Sequence, residues 1–179
     1  MSHPGMRSHA WSPVLLAGML VWLGGQVPAH AGVCRTELRP LLLQAQPEPA
    51  AIAAVRASCA AEAEAGDADA TYQLALFHLG LGGEWNPAAA IPLIRSAAER
   101  DVSEAQYWLA WQSESGPELP HDEAVALGWY QRAAAGRHRL ALQRLATAWE
   151  RGELGLAPDA KEALKLRAQI RQCEEESAR

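Results

Sequence analysis

Apolar and small residues recur every three or four positions along most of the chain, which is the spacing of one face of an α-helix. The pattern Ala-x-x-x-Leu-Ala occurs three times, starting at Ala70, Ala105 and Ala141, and a second Ala-rich segment follows each copy. Each unit predicts a pair of helices. One pair cannot bury its apolar face alone, so the repetition predicts an all-α solenoid of about three antiparallel helix pairs with capping helices.

Polar residues and glycines mark the expected helix ends. Asn86, Asp122 and Asp159 each precede a second helix and are suited to its N-cap. Pro92 falls inside the first of these helices, where we expect a kink or a delayed start. Gly136 is expected to stop the second of them.

The same pattern divides the chain into segments. They are a cleaved signal peptide (1–31), a Pro-rich leader (32–49), an N-terminal capping helix (50–65), three repeats (66–100, 101–136 and 137–173) and a disordered acidic tail (174–179). Ala75, Ala110 and Ala146 are the predicted helix crossings, because helices about 8–10 Å apart leave room only for small side chains.

The start of the chain has the features of an export signal. Residues 14–23 are an uninterrupted run of apolar residues and glycine, shorter than the roughly 20 residues that span a bilayer. Ala29 and Ala31 are the small residues that signal peptidase prefers before its cleavage point. We expect cleavage after Ala31, a periplasmic or secreted product and no stable membrane insertion. A retained N-terminal anchor is the alternative.

The charge of the expected mature chain, residues 32–179, indicates the class of partner. It contains 15 Lys and Arg residues and 21 Asp and Glu residues, so its net charge is −6. Nucleic-acid binding needs clustered positive charge, and the basic residues here are scattered. We therefore expect a protein partner and no nucleic acid.

Three cysteines, Cys34, Cys59 and Cys173, lie in the mature part. In an oxidising compartment a Cys34–Cys59 disulfide can tie the N-terminal segment to the first helix. We favour this pairing, because Cys59 and Cys173 lie towards opposite ends of the expected solenoid. Three unpaired thiols are the other possibility.

The repeat pattern resembles the Sel1-like repeat, a relative of the tetratricopeptide repeat. The third unit has Ala141, Leu145, Ala146, Trp149, Gly152, Asp159 and Ala163 at the family's positions, and the second has Ala105, Leu109, Ala110, Ser113, Gly116, Asp122, Ala126, Ala133, Ala134 and Gly136. The first departs most, with His78 at the aromatic position. The resemblance covers residues 66–173 and implies a right-handed solenoid whose first helices line the concave side.

Carrying the family's register across implies a partner-binding groove on the first helices. Its residues are Tyr72, Leu76, Tyr107, Trp111, Glu114, Gln143, Thr147 and Glu150, and Asp69, Leu79, Glu104 and Leu140 face the same side. Aromatic anchors such as Tyr107 and Trp111 carry much of the energy of protein interfaces. At helical spacing the same residues also fit core packing, which is the main alternative. Trp129, on a second helix, is expected to pack.

No constellation of residues indicates catalysis, and we expect no cofactor and no metal. His78, His121 and His138 have no neighbouring nucleophile or metal-ligand motif, and no phosphate loop is present in the sequence. We expect a non-catalytic scaffold or adaptor of the bacterial envelope. The alternative is a periplasmic immunity protein that neutralises a secreted effector, and a hydrolase is a remote third possibility.

Overall fold

Consecutive helices pack against one another along the chain and form an all-α solenoid, as the repeats predict. The structure is a computed structural model that describes residues 32–178, so the predicted signal peptide and its cleavage motif lie outside the described part. The helices within it are α1 (Val33–Leu42), α2 (Pro49–Glu64), α3 (Ala68–His78), α4 (Pro87–Glu99), α5 (Ser103–Ser115), α6 (Glu123–Ala135), α7 (Arg139–Arg151) and α8 (Ala160–Ser177).

Three helix pairs, α3–α4, α5–α6 and α7–α8, share the same internal connection. A backbone hydrogen bond of 2.7 Å joins the end of each first helix to the start of the second; the N–H groups of Asn86, Asp122 and Asp159 donate to the C=O groups of His78, Ser113 and Trp149. The same three donor residues cap their helices with a side-chain oxygen. The predicted N-caps are therefore confirmed, and each satisfies backbone N–H groups of the first helical turn.

An additional helix pair precedes the three repeats. The segment predicted as a Pro-rich leader contains α1, which packs against both α2 and α3. Cys34 on α1 and Cys59 on α2 form a disulfide, and both residues are fully buried. Cys173 on α8 is a free cysteine.

The core runs along the solenoid as three clusters of buried apolar side chains, between α1 and α3, between α3 and α5, and from α5 to the loop after α7. Ala75, Ala110 and Ala146, the predicted crossings, are no more than 1% exposed. Trp129 on α6 packs against the second and third clusters, which agrees with its expected packing role.

Gly136 ends α6, as the sequence predicts. It is the C-cap of α6, but the left-handed residue that turns the chain is Arg137, with φ of 63°. A Cβ on Gly136 would lie only 2.9 Å from the Cβ of Ser103. Glycine is needed there because the start of α5 comes too close for a side chain.

Two helix ends differ from expectation. Pro92 does not delay α4, which begins at Pro87. The sequence predicts a disordered tail from Glu174, yet α8 continues to Ser177, and Glu174 and Glu176 form exposed ion pairs with Arg139 and Arg137. None of the helices within residues 32–178 is long and apolar enough to cross a membrane.

Candidate protein-binding surface

Trp111 is the most exposed aromatic residue among those predicted to bind a partner. It lies on α5, and its relative exposure is 43%. Leu76 on α3 and Thr147 on α7 occupy the equivalent positions of the neighbouring repeats, and both are half-buried. The face of the first helices that contains these three residues is called the Trp111 face below.

Tyr107, one turn before Trp111, is half-buried and takes part in packing. Its ring stacks on His138 with 4.5 Å between centroids, and it lies 5.8 Å from the ring of Tyr130. Tyr107 therefore helps to join α5 to α6 and to the start of α7, whereas Trp111 keeps an exposed surface.

Tyr72, the equivalent of Tyr107 in the first repeat, packs against the cluster between α3 and α5. Burial raises the pKa of Tyr72 to about 12, and the Glu104 carboxylate adds to the effect. The hydroxyl consequently stays neutral over the physiological pH range.

His138 combines the stacking contact with a cap. Its Nδ1 accepts a hydrogen bond from the N–H of Ala141 at 3.3 Å and caps α7. Burial lowers the pKa of His138, although the Glu104 carboxylate opposes the shift. The neutral ring is the form that accepts at Nδ1.

Glu114, a predicted groove residue, is occupied by partners from its own chain. Arg144 on α7 donates to both of its carboxylate oxygens, and the hydroxyl of Tyr130 donates at 2.7 Å. Burial, the largest influence, would raise the pKa of Glu114, but these donors outweigh it and the pKa is lowered. The same contact acts on the partners: the hydrogen bond to Glu114 raises the pKa of Arg144, and burial followed by that hydrogen bond raises the pKa of Tyr130.

The remaining predicted residues lie on α7. Glu150 is exposed and forms an ion pair with Arg167 of α8 at 2.7 Å. Gln143 is exposed, and its backbone carbonyl accepts a hydrogen bond from the hydroxyl of Thr147. Leu140 is 44% exposed at the start of the same helix. The first helices thus combine exposed apolar side chains with two carboxylates, Glu114 and Glu150, that are already paired.

Arg144, Tyr130 and Glu153 were missed by the sequence analysis. Arg144 lies 30 residues from Glu114 and also donates to Glu153 at 2.6 Å. No local pattern marks a pair so far apart. The only available signal is the repeat register, which places α5 beside α7.

A groove of about 380 Å³ lies between α6, α7 and α8. Trp149, Leu166 and Cys173 are among its lining residues, and none of the predicted partner-binding residues lines it. Within residues 32–178, no group of three His, Cys, Asp or Glu side chains is placed to hold a metal ion.

Comparison with known proteins identifies the repeats. Three Sel1 repeats match at residues 68–102, 103–138 and 139–166, which together are more than half of the chain. The chain belongs to the Sel1 repeat family. Each Sel1 repeat begins at the first residue of α3, α5 or α7, two residues later than the units defined by the sequence pattern.

Two solved structures are similar to this Sel1 repeat chain. A Sel1 repeat protein from Oxalobacter formigenes is 31% identical over 64% of this chain and 86% of its own, with a TM-score of 0.59. The protective antigen c5321 of uropathogenic Escherichia coli, which has an SLR fold, is 28% identical with a TM-score of 0.57. That match covers 65% of this chain but only 25% of the antigen. No curated protein matches the chain significantly.

Proposed function

We propose that this chain is an exported, non-catalytic adaptor of the bacterial envelope, which binds a protein partner through the Trp111 face. Sel1 repeat proteins generally mediate protein–protein interactions and are typically non-catalytic scaffolds. The envelope location follows from the export signal expected in residues 1–31.

The exposed indole of Trp111 carries this proposal. Tryptophan is enriched among the residues that contribute most to binding energy, because it buries a large apolar area when a partner covers it. Trp111 lies between half-buried Leu76 and Thr147 on neighbouring first helices, and exposed Leu140 extends the apolar area along α7. A partner can therefore contact several repeats at once.

The pairing of two carboxylates beside this surface favours an adaptor over an immunity protein. Glu114 and Glu150 already form ion pairs with Arg144 and Arg167. Charge complementarity with a tightly bound enzyme needs free charges of one sign, and these carboxylates would have to give up their own partners first. An apolar contact of moderate affinity fits the Trp111 face better.

The test is crosslinking and capture of the tagged full-length protein from the envelope of its own cells, using wild type, Trp111→Ala and Trp85→Ala. Trp85 is the matched control, since it is 63% exposed in the loop after α3. We expect Trp111→Ala to lose envelope assembly components that the wild type and Trp85→Ala both retain.

Circular dichroism of the purified variants separates binding from folding. Trp111→Ala should keep wild-type helix content, because its side chain is almost half exposed. Unfolding of this variant would show that Trp111 is a core residue and would overturn the proposed surface. Capture of a single toxin or hydrolase would support the immunity protein instead of the adaptor.

A further inference from the structure

Glu62 is a buried carboxylate that is hydrogen-bonded by backbone N–H groups. It lies on α2 and is 4% exposed. Its two oxygens accept hydrogen bonds from the backbone nitrogen atoms of Gly32, at 3.0 Å, and Cys34, at 2.9 Å. No Lys or Arg side chain within residues 32–178 forms an ion pair with it.

The repeats show how unusual this position is. Helices α2, α4 and α6 each end with an equivalent backbone hydrogen bond. The acceptors of these three bonds are the C=O groups of Glu62, Ala97 and Ala133. Ala97 and Ala133 are fully buried. A carboxylate is costly to bury at a site otherwise occupied by a methyl group; the two backbone hydrogen bonds offset part of this cost, and a nearby positive charge would offset more of it.

Gly32 is the residue that follows the expected signal-peptidase site at Ala31. In the uncut chain its nitrogen is an amide with one hydrogen, whereas cleavage would convert it into a chain-terminal ammonium group with three. Its nitrogen already lies 3.0 Å from Glu62. The new charge would therefore lie beside the carboxylate without any movement of the chain.

We infer that the chain is processed between Ala31 and Gly32, and that the new α-ammonium group of Gly32 forms a partly buried ion pair with Glu62. In this reaction signal peptidase catalyses the addition of water across the amide bond. The bond between the Ala31 carbonyl carbon and the Gly32 nitrogen breaks; the water oxygen joins the carbonyl carbon, which becomes a carboxylate, and the two protons of the water end on the Gly32 nitrogen, which becomes an ammonium ion. The free N-terminus then supplies the cation that Glu62 lacks.

The surroundings of Gly32 suit a positive charge. A small pocket of about 120 Å³ at this site is lined by Glu62, by Asp67 and Asp69 from the start of α3, and by Arg35 of α1. The lining thus contains three acidic residues and one arginine. The N-terminal end of α1 disfavours a cation through its dipole, and the nearby carboxylates offset this effect.

The Cys34–Cys59 disulfide holds the two partners together. Cys34 is two residues from the new terminus, and Cys59 is one helical turn before Glu62. The disulfide is fully buried and ties the start of α1 to α2. This inference requires the removal of residues 1–31, but it does not depend on the Trp111 face.

Intact-mass analysis and N-terminal sequencing of the protein recovered from its own cells test the processing step. We expect the mature chain to begin at Gly32 with a free amine and an intact disulfide. A mature chain that begins elsewhere, or that keeps residues 1–31, would overturn the inference.

A matched pair of proteins tests the ion pair itself. One begins at Gly32 and the other at Ala31, so the second has an amide where the first has an ammonium group. At pH 7 the Gly32 protein should melt at least about 2–4 °C higher, which is a measurable shift for a domain of this size. The difference in melting temperature should vanish above about pH 9–10. The ordinary pKa of an α-amino group is near 8, so the group is uncharged in that range.

Glu62→Gln in the Gly32 protein should abolish both the higher melting temperature and its pH dependence. If this variant fails to fold, the comparison of the two unsubstituted proteins still decides the question. Equal melting of the Gly32 and Ala31 proteins at pH 7 would overturn the ion pair even where sequencing had placed the terminus at Gly32.

Discussion

Glu114 on α5 and Arg144 on α7 form an ion pair that links the first helices of two successive repeats. Nε of Arg144 lies 2.9 Å from Oε1 and 3.1 Å from Oε2 of Glu114, and Nη2 also donates to Oε1. The two side chains are only 19% and 22% exposed. Tyr130 also donates a hydrogen bond to Glu114, and Arg144 also forms an ion pair with Glu153. The pair therefore belongs to the structural interface between the repeats.

Removing Arg144 should therefore destabilise the fold. Arg144→Met leaves the Glu114 carboxylate partly buried without its cation, which we expect to cost about 1–3 kcal/mol. The pKa of Glu114 is lowered in the folded protein, so its contribution is present above about pH 4.5 and is lost as the pH falls through the folded pKa. Urea unfolding should show that the free energy of unfolding falls less between pH 7 and pH 3.5 for Arg144→Met than for wild type.

Arg167→Met is the matched control. It removes the ion pair with Glu150, whose side chains are 48% and 38% exposed, so we expect a change of at most about 1 kcal/mol. A double-mutant cycle of Glu114→Gln and Arg144→Met isolates the coupling between the two residues. Additive effects in that cycle would contradict a direct interaction.

His138 should make stability depend on pH in a higher range. Its pKa is lowered by burial in the folded state, so its contribution is present above about pH 6.5 and is lost as the pH falls through the folded pKa. Protonation of Nδ1 also removes the acceptor that caps α7. His138→Asn keeps a cap but does not titrate.

The expected result is a lower stability of His138→Asn at pH 7.5, because the stacking contact with Tyr107 is lost, together with a flatter curve towards pH 5.5. Unfolding free energies from urea titrations at several pH values measure both effects. A variant that follows the slope of the wild type between pH 7.5 and 5.5 would show that His138 titrates alike in the folded and unfolded states.

Local sequence patterns predicted most of the fold. Helix starts at Asn86 and Asp122 follow from residues whose side chains cap the turn directly after them. The crossing at Ala110 follows from a small residue recurring at one register in each repeat. These features depend on neighbours in the chain or on the period, and both are visible without a structure.

Contacts between distant residues could not be predicted in the same way. Glu114 was expected to be available to a partner, whereas it is held by Arg144 from the next repeat. The last turns of α8 form ion pairs with Arg137 and Arg139, which lie far from Glu174 in the chain. Such charges look alike in the sequence whether they are solvated or paired, because pairing is decided by how the helices stack.

Ala110→Leu should test the repeat register. Ala110 is fully buried on α5, so three additional carbon atoms must displace a neighbouring helix, at a cost of about 1–3 kcal/mol. Ala124→Leu is the control, because Ala124 is exposed on α6 and its replacement should change stability by less than about 0.5 kcal/mol. Thermal unfolding of both variants provides the comparison, and equal melting temperatures would contradict the crossing at Ala110.

Reduction of the Cys34–Cys59 disulfide should destabilise the N-terminal helix pair. The two cysteines are 25 residues apart, and closing a loop of this length stabilises the folded state by about 3 kcal/mol in the chain-entropy model. Cys59→Ser should therefore melt at a lower temperature than wild type and should no longer respond to a reducing agent. Cys173→Ser, which removes the free cysteine, should retain the wild-type response.

Counting thiols in the protein isolated from its own cells connects this prediction to the compartment. Alkylation under denaturing conditions should modify one cysteine before reduction and three after it, since only Cys173 is free. Such disulfides persist in oxidising compartments and are rare in the reducing cytosol. Three thiols before reduction would leave α1 tethered only by packing and by the contacts of Glu62, and would contradict both export and the stabilising role of the disulfide.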